Sequence, residues 1–169
     1  MRVYVPVNIK RAVVLLALLL AGCGDPIKQS DATPWTPPTA TPSGPLWTGK
    51  VDVTRETGAL AAPGFNALID AEKPNWAQSP DGTVTELLNL GRGFDGPVDI
   101  YLLREGADGK NPVLTVTLTK LGDDSIRAIR YRIALRRGDD GRFRFVEGKR
   151  TQRCQNGRGH QDFSTDICS

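Results

Sequence analysis

The chain has 169 residues, with 22 basic and 19 acidic side chains, a net charge of +3, 12 prolines and three cysteines. Arg2, Lys10 and Arg11 hold the whole excess: without them 19 basic residues stand against 19 acidic ones, which excludes any argument for nucleic acid from overall charge. The residues beyond the proline-rich region suffice for one modest hydrophobic core and not for two.

The first segment has the three parts of an export signal. Arg2, Lys10 and Arg11 form a positive lead, Ala12 to Leu20 is an uninterrupted apolar run, and Leu20-Ala21-Gly22 supplies small residues for cleavage. The run is about half the roughly 20 residues that a spanning helix needs. The four residues Leu20-Ala21-Gly22-Cys23 resemble the lipobox of bacterial lipoproteins. That resemblance implies cleavage before Cys23, attachment of diacylglycerol to its sulfur and acylation of the new amino group. It further implies a chain held at a bacterial cell membrane or outer membrane with its domain outside the cytoplasm. Two or three acyl chains anchor stably where one would be marginal. Gly24, rather than Asp, follows the cysteine, so the inner-membrane retention signal of some Gram-negative lipoproteins is absent. The expected organisation is a signal over 1–22, a lipidated cysteine with a tether over 23–46, and a single α+β domain over 47–169. The tether "GDPIKQSDATPWTPPTATPSGPL" carries six prolines and no apolar period. Such a composition buries too little surface to offset its ordering entropy and favours extended, PPII-like conformations.

Within the domain, "WTGKVDVT" (47–54) reads as an early edge strand. "PGFNALIDAE" (63–72) places Phe65, Leu68 and Ile69 on one helical face and stops before Pro74. "DGTVTELLNLG" (81–91) reads as a second helix, with Thr83 and Glu86 as a capping box and Gly91 as a left-handed stop. Strands are expected next at 97–103 and 112–120, joined by a turn over 106–111. In the second, Leu114, Val116 and Leu118 alternate with Thr115, Thr117 and Thr119, which assigns one face to a core and one to solvent. A second hairpin joins 125–137 to 142–150 through "GDDG". Ile129, Tyr131, Ile133 and Leu135 line its core face, with Phe143 and Phe145 opposite. Helices and then antiparallel hairpins predict an α+β fold: a curved antiparallel sheet of four to five strands with one or two short helices on one face. The layout is similar to cystatin-like and nuclear-transport-factor-like half-cones, an analogy of fold that carries no function.

With Cys23 used for lipid, Cys154 and Cys168 form an even pair in an oxidising compartment and are most simply read as a disulfide. A metal site using Cys154, His160 and Cys168 is the sharper alternative. It lacks a fourth ligand and any C-x-x-C pair.

Two stretches are candidates for function. Arg130, Arg132 and Arg136 share one strand face, and Arg144 joins them from the partner strand. One reading is a solvated face paired with acids elsewhere in the chain. The other is a site for an anionic envelope component, such as lipid headgroups or cell-wall phosphates, or for an acidic protein partner. Nucleic-acid binding needs aromatic side chains among the basic ones, and Tyr131, Phe143 and Phe145 lie on the other face. The second stretch is the tail "RTQRCQNGRGHQDFSTDIC" (150–168), with Arg158, His160 and Asp162 as a polar cluster. This ending, preceded by "DDSIRAIRYRIAL", is similar to uncharacterised exported bacterial proteins that end in C-x-x-G-R-G-H-x-D-F…C, a resemblance that implies no catalytic residue. His160 with Asp162 can be read as an acid–base pair, but no G-x-S-x-G serine accompanies them. Alternatively Asn156-Gly157 makes a turn, and His160 and Phe163 pack back on the sheet. No cofactor, catalytic residue or metal is assigned, and the sequence favours a non-enzymatic binding module held to a membrane through Cys23.

Overall fold

The computed structural model describes residues 46–92, 94, 96–106 and 109–169; the signal, Cys23 and the tether lie outside the described residues. The fold is α+β, with an open, curved antiparallel sheet. In chain order the elements are β1 (Asp52–Val53), β2 (Leu60–Ala61), α1 (Phe65–Glu72), a 3-10 turn (Asn75–Gln78), α2 (Pro80–Leu87), β3 (Asp99–Glu105), β4 (Val113–Thr119), β5 (Ile126–Arg137) and β6 (Phe143–Cys154). The main sheet runs β3-β4-β5-β6, each strand antiparallel to its neighbour, and β1 with β2 makes a separate two-stranded ribbon. No described helix is long and apolar enough to cross a membrane.

The core lies between the helices and one sheet face. Phe65 and Ile69 from α1 and Val84 and Leu87 from α2 meet Leu114, Val116, Ile133 and Leu135, all fully buried or nearly so. The threonine–aliphatic alternation of β4 therefore turns its aliphatic side to the helices, since neighbouring strand residues point to opposite faces. Trp47 and Trp76 complete this layer against Phe65, with ring centroids 5.0 Å and 5.7 Å away.

Three expectations are corrected. The early strand does not join the main sheet. Gly49, at φ +77°, interrupts the extended run, so Trp47 enters the core while only Asp52–Val53 pairs, with β2. In α2 the cap is Ser79, whose Oγ accepts the Gly82 N–H at 3.0 Å, and Pro80 occupies the first helical position, where its fixed φ suits the helix. Thr83 is buried one turn in and donates its hydroxyl to the Ser79 carbonyl at 2.8 Å. Asn89, at φ +56°, takes the left-handed position expected of Gly91.

In the last hairpin β5 keeps to its expected span and β6 runs four residues past its expected end, to Cys154, so that each strand has 12 residues. Register shifts occur at Ile126/Ala128 and at Ala134/Leu135, where Val146 is the extra residue of β6. A bulge adds local twist and reverses the inward–outward phase of the residues beyond it. Gly148 consequently faces the core, where a β-carbon would come within 2.7 Å of Leu60.

Candidate functional site

The outer face of the sheet, away from the helices, is built from rows of directly opposed residues. One row is Tyr101, Thr117, Arg130 and Thr151; the next is Leu103, Thr115, Arg132 and Lys149. Arg130 and Arg132 stand at the centre of both, flanked by hydroxyls. On one side they line a cleft of about 510 Å³ with Lys149, Glu147, Thr57 and Phe163. On the other they line one of about 400 Å³ with Tyr101, Leu103 and the β4 threonines. The two clefts share both guanidinium groups and form a shallow trough across the strands.

The charges in this trough are unevenly compensated. Arg132 reaches Glu105 at 3.3 Å, an exposed pair of small net worth. Arg130 is held by Thr117 Oγ1 at 3.5 Å and by the Phe163 ring, whose centroid is 3.7 Å from its Cζ. Arg153 lies against the same ring at 4.6 Å. Among the described residues no carboxylate forms an ion pair with Arg130 or Lys149.

The four arginines singled out in the sequence separate into two groups. Arg144 is tied to Asp70 at 2.6 Å and 2.8 Å and to Asp140 at 2.9 Å and 3.0 Å. This clamp of two carboxylates on one guanidinium joins α1 to the β5–β6 turn. The hydrogen bonds hold the Asp140 carboxyl below the usual carboxylate range and push Arg144 higher still. Arg136 lies opposite Arg144 and lines a different depression with Asp139, Asp140 and Lys73. Arg144 is thus a structural tie, and the trough is left to Arg130 and Arg132. Lys149 and Tyr101 belong to that trough and were missed in the sequence, whereas Phe163, expected to pack back on the sheet, does so against Arg130 and Arg153.

The tail is fastened by the Cys154–Cys168 disulfide, whose Cα atoms are 5.4 Å apart. Asn156 and Gly157 form the centre of a turn closed by the Arg158 N–H on the Gln155 carbonyl at 3.0 Å, with Gly157 at φ +78°. Ser164 then bonds Gln152 on both main-chain groups, at 2.8 Å and 3.0 Å, along the outer edge of β6. His160 bridges two carbonyls: Nδ1 is 2.8 Å from Asp162 O and Nε2 is 3.0 Å from Asp166 O. A carbonyl oxygen only accepts, so both bonds exist together only when each nitrogen carries a hydrogen. These bonds push the His160 pKa above its ordinary value. The partner at position 162 is the main chain and not the carboxylate, so the geometry of an acid–base pair is not formed. Arg158 reaches Asp124 only at 4.0 Å. Cys154, His160 and Cys168 do gather their ligand atoms within 4.8 Å of one another, but the two sulfurs are bonded together. No family model, no curated protein and no solved structure matches the chain.

Proposed function

We propose that the protein is a lipid-anchored envelope protein with a binding, non-enzymatic role, its outer sheet face taking a phosphate-bearing ligand of the envelope. The observation that carries this reading is the pair of cations without a carboxylate ion pair among the described residues, Arg130 two positions along β5 from Arg132 and Lys149 directly opposite it, in one trough. Guanidinium groups suit phosphate because their planar donors meet two oxygens at once, and the neighbouring Thr115, Thr117 and Thr151 add hydroxyl donors. The engagement of both His160 nitrogens by main-chain carbonyls supports binding over catalysis at the tail. The lipobox supports the anchor.

The test is binding of the Cys23→Ser chain, which carries no acyl group, to vesicles containing phosphatidylglycerol and, separately, to soluble poly(glycerol phosphate). Replacing Arg130, Arg132 and Lys149 by Ser abolishes binding in the arm that supplies the ligand, and Arg136→Ser leaves it intact. Equal binding by the triple variant and the parent overturns the trough as the site. Added salt weakens the interaction, as expected for exposed charges. For the anchor, mass spectrometry of the processed N-terminus finds diacylglycerol on Cys23; a bare cysteine there removes the membrane attachment.

A further inference from the structure

The two outer edges of the sheet are differently finished. Along β6, Arg150 N–H bonds the Gly58 carbonyl at 2.7 Å, and Ser164 pairs with Gln152 beyond it. Along β3, no described strand or bridge pairs with the outer side. This strand exposes four consecutive apolar residues, Ile100 at 42%, Tyr101 at 59%, Leu102 at 39% and Leu103 at 60%. A bare, apolar edge with free main-chain donors and acceptors is a template for another strand, and proteins usually blunt such edges with charge.

Here the charges of the strand are already answered from within the chain. Asp99 is bound by Lys120 at 2.9 Å, Arg104 binds Asp81 at 2.7 Å, and Glu105 is bound by Arg132. No unanswered ionic side chain remains on the strand to repel an identical one, and its middle is wholly apolar. We propose that β3 pairs antiparallel with β3 of a second copy of this chain, about a two-fold axis at Leu102, joining two four-stranded sheets into one of eight.

The symmetry fixes the register. A two-fold axis normal to the sheet keeps the outer faces on the same side, so opposed residues must share a face. Strand positions alternate between faces, so the sum of two opposed residue numbers is even. Centring on Leu102, the midpoint of Asp99–Glu105, uses all of the strand. It sets Leu102 against itself, Tyr101 against Leu103 on the outer face, and Ile100 against the stem of Arg104 on the helix side. Asp99 then meets Glu105 at each end, both flanked by the cations that bind them, Lys120 and Arg132. The inference does not rest on the anion reading: Tyr101, Leu103 and Glu105 also line the second cleft, but the pairing uses the main-chain edge of β3 and not Arg130 or Lys149.

Cysteine scanning of the Cys23→Ser chain, which has neither acyl groups nor a third thiol, tests it. Directly opposed Cα atoms in an antiparallel pair are about 4.5–5.5 Å apart, inside the roughly 4.4–6.8 Å range of a disulfide. Leu102→Cys therefore gives a covalent dimer under mild oxidation on a non-reducing gel. Ile100→Cys does not exceed the parent, since its copy is offset by four residues, more than about 12 Å. In sedimentation the parent is a dimer, and Leu102→Lys, which opposes two ammonium groups, weakens it at least about tenfold. A melting curve unchanged from the parent in buffer dilute enough for monomers shows that the variant is folded. A monomeric parent, or equal cross-linking at 100 and 102, overturns the proposal and leaves the edge to an extended segment of another protein.

Discussion

The β6 edge and the β3 edge belong to the same sheet and obey the same strand chemistry, yet one is sealed and the other open. What separates them is the rest of the chain. β6 is covered by residues that precede the helices and by the tail after the last strand. Gly58 makes the first contact possible: it sits at φ +70°, and a β-carbon there would run into the Arg150 carbonyl. The second is held by a disulfide and a buried glutamine. Nothing comparable reaches β3 among the described residues. An edge is therefore protected by the segments that the topology brings back to it, more than by the composition of its own strand.

Removing the crosslink disturbs the sealed edge most. Cys154→Ala with Cys168→Ala releases a loop of 13 intervening residues, worth about 3 kcal/mol in the chain-entropy account, and lowers the melting temperature by about 10 °C in a calorimetric scan. A melting temperature unchanged by this double replacement would mean that the tail holds without its bond. Gln152→Ala comes next. The buried amide donates to the Asp166 carbonyl at 2.9 Å, and its loss costs about 1–2 kcal/mol in chemical denaturation.

The effect of pH on the tail is smaller. Because the folded pKa of His160 is raised above 6.5, the stabilisation it gives is fully present below that value and is lost as pH rises through the folded pKa. The nearby charges of Asp162 and Asp166 add to the shift. His160→Asn accordingly flattens the melting temperature between pH 5.5 and pH 8.5, where the parent declines. The smallest change is at the open edge: Ile100→Thr, at an exposed position, alters monomer stability by less than about 0.5 kcal/mol in urea titrations under dissociating conditions.

The sheet was legible where one period ran without interruption. Leu114, Val116 and Leu118 against three threonines assigned both faces of β4, and the GDDG turn located the last hairpin. The Cys154–Cys168 pair came from counting cysteines in a chain read from its first residues as exported. The trough was only half legible, for a mechanical reason. Counting by twos from Arg144 carries Val146 and Gly148 to the outer face, but the bulge at Val146 moves Glu147, Lys149 and Thr151 there instead. Arg144 itself was lost to the site because its carboxylates lie 74 residues away, on α1, and in the turn. The helix start at Ser79 was readable after all: Ser-Pro-Asp is a cap, a first-position proline and an acid in the first turn, and it outcompeted the capping box placed four residues later. Phe163 was expected to pack back on the sheet, but its meeting with Arg130 had no local signal, since it depends on the path of the tail.

That path passes very close to the crosslink. Gly159, at φ +136°, leaves only 2.9 Å between the site of its missing β-carbon and Cys154 Sγ, and Cys154 has no exposed surface. Attack on a disulfide needs a thiolate to approach one sulfur directly, and here the polypeptide occupies the approach to the deeper one. Attack at Cys154 Sγ therefore waits for residues around 159 to lift away, a local opening, and the half-buried Cys168 offers the sulfur that a reductant reaches first.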